Sequence, residues 1–97
     1  MTLTKKDIIK LRQTAQTIKP MFQIGKDGLT PTVMNQIHNY LLKHELGKLA
    51  ILPTCPLEHT EISAFLGLEA IHTVQSIGRN LVIYRANPKL DPKERVI

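Results

Sequence analysis

The chain has no tryptophan, two tyrosines, two phenylalanines and one cysteine among its 97 residues. A single thiol, Cys55, allows no internal disulfide, and its surroundings offer no second ligand pair for zinc. His59 follows nearby, but a Cys and a His without a third orienting group do not make a nucleophilic site. No apolar run is long enough to span a bilayer and no signal-peptide pattern is present, so the expected setting is the reducing cytoplasm, without membrane contact. Paired carboxylates at catalytic spacing, a nucleophile-base-orienter set and a nucleotide fingerprint are all missing. An enzyme is therefore not expected, and neither is a cofactor, a metal or a small-molecule substrate. The histidines, His38, His44, His59 and His72, show no metal-ligand spacing. Tyr40, Tyr84, Phe22 and Phe65 stand at positions that read as core-facing, which leaves no platform for stacking single-stranded bases.

What the chain does have is positive charge, unevenly placed. Its length and its 42% apolar residues suit one globular domain with a single core. The formal net charge is +5. Residues 1–48 hold eight Lys/Arg against three Asp/Glu, whereas residues 49–97 hold five of each, so the whole excess lies in the first half. Within residues 5–26, Lys5, Lys6, Lys10, Arg12, Lys19 and Lys26 face only Asp7 until Asp27. Such a face suits phosphates or an acidic partner.

Periodicity gives the order helix, strand, helix, strand, helix, strand, strand. In residues 4–18, Ile8, Leu11, Ala15 and Ile18 recur at helical spacing, Thr4 and Asp7 form a capping-box variant, and Lys19-Pro20 is the expected stop. Lys6 and Lys10 fall away from the apolar stripe, with Lys5 and Arg12 flanking it. Residues 21–24 read as a short buried strand. Thr30 as cap and Pro31 in the first turn begin a helix running to about residue 44. "ELGKLAIL", residues 45–52, reads as a strand with Gly47 inside it, although Gly47 also suits the position just past a helix end. Residues 56–66 form the weakest helical pattern, closed by Gly67. Residues 71–85 are β-branched on both sides of Gly78-Arg79, the signature of a hairpin with a type II′ turn. Two right-handed strand-helix-strand units give three parallel strands, and the hairpin adds an antiparallel one. The expected fold is a two-layer α/β sandwich with a four-stranded mixed sheet and three helices, spanning residues 1–86, followed by a flexible tail, 87–97.

"QIGKDGLTP", residues 23–31, sets two glycines, a lysine and an aspartate between a strand and a helix start. Two readings stand side by side. Gly25 and Gly28 can bare backbone amides to a phosphate at the positive end of the helix, with Lys26 between them, as a G-x-x-G loop does in KH domains. Alternatively, Asp27-Gly28 is a common turn pair and the segment is a tight connection.

"LTKKDIIKLRQTAQTIKPMFQIGKDGLT", then "HEL", then "SIGRNLVIYR", resembles the CRM domain, the chloroplast RNA splicing and ribosome maturation family, in its single-domain bacterial YhbY-like form. The most specific blocks are "KP…IGK.GLT" and "IGR.LV.YR", and the likeness covers residues 3–86. It implies a fold similar to the C-terminal domain of translation initiation factor three, and RNA binding during assembly of the large ribosomal subunit. It further implies that Gly25, Lys26, Asp27 and Gly28, with neighbouring basic residues, touch RNA. Two positions depart: Asp27 stands where the family often has a neutral residue, and Gly47 where a β-branched one is more typical. The resulting candidate RNA contacts are residues 25–28 with Lys5, Lys6, Lys10, Arg12 and Lys19, and secondarily Arg79 beside Asn80 at the hairpin tip. An adaptor whose basic half meets an acidic protein is the alternative.

Overall fold

In the computed structural model, which describes residues 3–91 and 93, the elements follow the expected order: α1 (Lys5–Ala15), β1 (Phe22–Ile24), α2 (Pro31–His44), β2 (Leu46–Ile51), α3 (His59–Leu68), β3 (His72–Ile77) and β4 (Asn80–Tyr84). No helix among the described residues is long and apolar enough to cross a membrane.

The α1 start is capped as its sequence implies. The Asp7 amide donates to Thr4 Oγ1 and the Thr4 amide to Asp7 Oδ2, both at 3.1 Å. Its end comes three residues before the expected one. The amides of Gln16, Thr17 and Ile18 bond three residues back rather than four, and Thr14 Oγ1 and Thr17 Oγ1 donate to the carbonyls of Lys10 and Thr14. Threonine hydroxyls competing for helix carbonyls loosen the last turn before Pro20 is reached. The α2 boundaries agree with the Thr30-Pro31 signal. The α3 boundaries do not: the helix begins at His59 rather than residue 56 and runs through Gly67. It closes instead on Ala70, at φ 60, whose amide bonds the Gly67 carbonyl (3.1 Å) while the Ile71 amide bonds the Leu66 carbonyl (3.0 Å). These two bonds are a Schellman motif with alanine in the left-handed position usually given to glycine.

The four strands lie in the order β1-β2-β4-β3. β1 and β2 are parallel and β4 is antiparallel to both β2 and β3, so β1, β2 and β3 share one direction, with β4 inserted between β2 and β3. Gly47 lies inside β2, the strand alternative. The hairpin turn has Gly78 at φ 55 and Arg79 outside the positive-φ region, which excludes type I′ and agrees with type II′.

The layers differ from expectation. Ile24, Leu49, Ile51, Leu81 and Ile83 pack with Ile37 and Leu41 of α2 and Ile62 and Leu66 of α3. Leu46, Val82, Tyr84 and Val74 pack with Leu11 and Ala15 of α1 in a separate cluster. Because alternate β4 residues join different clusters, α1 covers one face and α2 with α3 the other. The sheet is thus the middle of three layers, not one of two: an apolar stripe on α1 needs a partner, and the face opposite α2 and α3 provides it.

The segment after β4 is held by Glu45, which is fully buried at φ 61. The Arg85 amide donates to its carbonyl (2.9 Å), the Asn87 amide to its Oε2 (2.6 Å), and Asn87 Nδ2 to the Leu42 carbonyl (2.7 Å). Of the tail expected from residue 87 onward, residues 92 and 94–97 lie outside the described residues.

Candidate nucleic-acid interface

Residues 25–28 form a tight turn. The Leu52 amide donates to the Ile24 carbonyl (2.9 Å), fixing the end of β1, and the Gly28 amide then folds back onto the Gly25 carbonyl (3.0 Å). Gly28 is required twice over: its φ is 65°, and a Cβ there would come within 3.2 Å of Leu57 Cδ1. A Cβ on Gly25 would meet Leu52 Cδ1 at an ordinary 3.6 Å. One of the two amides expected to face a phosphate is therefore spent inside the turn, and Gly28 is buried.

The helix behind the turn also satisfies most of its own positive end. Val33 donates to Thr30 Oγ1 (3.2 Å), Met34 to the Thr30 carbonyl (2.9 Å), and Pro31 has no N–H. The loop presents exposed Lys26 and Asp27 at its tip. Asp27 lines a groove shared with α3, whereas Lys26 is not part of that groove.

Arg79 is exposed at the same end of the sheet. Its carbonyl accepts from the Ile51 amide (2.7 Å), and Ile51 is the register partner of Ile24. With strands about 4.8 Å apart, the hairpin tip and the loop stand roughly 10 Å from each other. Asn80 follows Arg79 as the first residue of β4.

The remaining candidates belong mainly to α1. Lys5, Lys6 and Lys10 are exposed, as is Lys19 in the connection to β1. Arg12 is also exposed but is partly committed: its Nε donates to the Val74 carbonyl (3.3 Å), at the bulge where the β3 register shifts between Thr73 and Gln75. A bulge turns a carbonyl out of the ladder, and Arg12 uses it to pin α1 to β3.

One cation escaped the sequence reading. Lys48, half-buried on β2, shares the α1 side of the sheet with Leu46 and Ala50. Register places Gln23, Ala50, Asn80 and Ile77 in one transverse row across all four strands, and Lys48, Val82 and Gln75 in the next. Asn80 is on this side because Val82 and Tyr84, at even spacing from it, pack under α1. α1 covers Leu46, Val82 and Tyr84, whereas Gln23 and Ile77 are exposed and Lys48, Ala50, Asn80 and Gln75 are only half-buried. The rest of this sheet face is open, with Gln23, Lys48, Gln75 and Asn80 as its polar groups and Ala50 and Ile77 between them. The signal was present in "LGKLAI", where Lys48 and Ala50 alternate with Leu49 and Ile51: a lysine and a small residue on one parity are the mark of an incompletely covered face. α1 covers the end of this face at Leu46 and Tyr84, and Lys26 and Arg79 adjoin the strands at the other end.

Two of the four histidines contact a neighbouring element. His59 Nδ1 lies 3.0 Å from Ser76 Oγ, joining α3 to β3, and His38 Nε2 lies 3.7 Å from Glu69 Oε2, between α2 and the end of α3. Cys55 is half-buried against the α2/α3 core, its amide bonded to the Leu52 carbonyl.

Comparison with known proteins gives a consistent set of matches. Residues 3–85 match the CRS1 / YhbY (CRM) domain. A Bacillus subtilis protein named as a probable RNA-binding protein, YqeI, is 32% identical over 84 residues, covering 86% of this chain and 88% of its own. A Haemophilus influenzae protein named as an RNA-binding protein is 33% identical over 85 residues, covering 87% and 86%. The solution structure of a hypothetical Staphylococcus aureus protein superposes with a TM-score of 0.72 at 31% identity, over 97% of this chain and 98% of that one.

Proposed function

The chain belongs to the CRS1 / YhbY (CRM) domain family, and on that premise we propose that it binds structured RNA by its sugar-phosphate backbone, across the half-open sheet face and its cationic borders. The observation that carries this reading is the part of this sheet face that α1 leaves uncovered, with Gln23, Lys48, Gln75 and Asn80 as its polar groups, edged by Lys26 and Arg79 where β1 ends and β4 begins, on a molecule whose α1 carries exposed lysines. Ammonium and guanidinium groups hold phosphates, while the side-chain amides of Gln23, Asn80 and Gln75 can donate to and accept from ribose hydroxyls. In this reading the role of the glycine turn is to aim Lys26, not to wrap a phosphate in bare amides. Ribosomal RNA in precursors of the large subunit is the target that the family resemblance favours, and binding without catalysis is the activity.

The test is binding of purified protein to ribosomal RNA fragments at two salt concentrations, together with co-sedimentation with large-subunit precursors and sequencing of crosslinked RNA. Lys6→Glu with Lys10→Glu should weaken binding to different RNA sequences alike, because phosphate contacts position a complex without specifying it. An interaction that survives nuclease treatment and is saturated by an acidic protein would replace this reading with that of a protein adaptor.

A further inference from the structure

On the other face of the sheet, α3 has the inverse chemistry. Between Lys48 and Arg79 the chain contains no lysine or arginine, yet it holds Glu58, Glu61 and Glu69. These three acids begin and end α3, and all are exposed. Between α3, the start of α2 and the glycine turn runs a groove of about 340 Å³, lined by Leu29, Met34, Leu57, Phe65 and Leu68, with Asp27 and Glu69 as its charged groups. Phe65 is 49% exposed and Leu68 84%. Apolar side chains this open, gathered around one cleft, mark an interaction site rather than scattered surface residues.

We infer that this groove docks a basic polypeptide segment carrying apolar anchors, so that the protein holds RNA on its α1 side and a cationic protein partner on its α3 side. RNA is an unsuitable occupant, since both charged groups lining the groove, Asp27 and Glu69, are acidic, Glu58 and Glu61 are exposed at the start of the same helix as Glu69, and α3 itself has no lysine or arginine to offset them. A partner rich in lysine and arginine meets those carboxylates favourably, while its apolar residues cover Phe65 and Leu68. An amphipathic helix with anchors at i, i+3 and i+7 is the form that fits a groove beside a helix. Asp27 then belongs to this docking surface, which accounts for an acid in a loop whose neighbouring lysine serves RNA.

The probe is a labelled 16-residue amphipathic peptide with leucine at those anchor positions and lysine on its other face, titrated into the full chain by fluorescence anisotropy. Two control peptides replace its lysines with glutamate or its leucines with serine. The lysine-leucine peptide is expected to bind saturably, with neither control binding. Leu68→Ser, at a position too exposed to matter for folding, and Asp27→Lys combined with Glu69→Lys, should each weaken it by about tenfold or more. Leu68→Ser should leave RNA binding unchanged. Peptide-induced NMR shifts are expected at Leu29, Met34, Leu57 and Phe65. Equal affinity for wild type and Leu68→Ser, binding of the serine control, or shifts confined to α1 would overturn the proposal. So would concentration-dependent self-association abolished by Leu68→Ser, which would make a second copy the occupant.

Discussion

Gly25 and Gly28 look alike in the sequence, and the structure gives them different work. Whether a glycine is needed depends on the sign of φ and on what a Cβ would touch, and the latter was invisible because Leu57 approaches from a distant part of the chain. Gly28→Ala should lower stability by about 1–2 kcal/mol through the left-handed backbone alone, with the 3.2 Å approach to Leu57 adding to it. Gly25→Ala should be nearly neutral, and urea unfolding of the two variants separates the cases. Lys26→Ala leaves the turn intact and should reduce RNA affinity, flattening the salt dependence by about one phosphate contact. Arg12 was read as an RNA contact from its charge; its bond to the Val74 carbonyl gives it a packing role that no local pattern reveals.

Helix and strand order was legible because each periodic run carries its own punctuation. Thr4 and Asp7 start α1, Thr30-Pro31 starts α2, and Gly78-Arg79 turns the hairpin. Where the punctuation misleads, the boundary moves. Gly67 looks like a helix stop, but the helix continues to Leu68 and the chain reverses at Ala70, after which Ile71 enters the core. An alanine at φ 60 carries a strain that glycine does not. Ala70→Gly should therefore raise stability by about 0.5–1 kcal/mol, seen as a higher melting temperature, with the loss of unfolded-state restriction keeping the gain small.

For the whole molecule, composition and order gave the class of fold and the mixed sheet, while the third layer was missed. A sequence pattern states that α1 has an apolar stripe but not which face of the sheet receives it; that is set by long-range packing against Leu46, Val74, Val82 and Tyr84. For the proposed RNA face the consequence is direct, because a helix covering half a face leaves the other half open. Just after β4, Asn87 is likewise tied in by long-range contacts: truncation after Ala86 removes the Asn87 bonds to Glu45 and Leu42 and should cost about 1–3 kcal/mol in thermal or urea unfolding. The most direct test of the RNA face is the slope of log affinity against log salt for wild type and for Lys10→Glu with Lys48→Glu. With five or six phosphates neutralised, wild-type affinity should fall by roughly two to three orders of magnitude between about 50 and 200 mM salt, and the double variant should bind more weakly with a shallower slope. A wild-type slope near zero, or a double variant indistinguishable from wild type, would contradict the account.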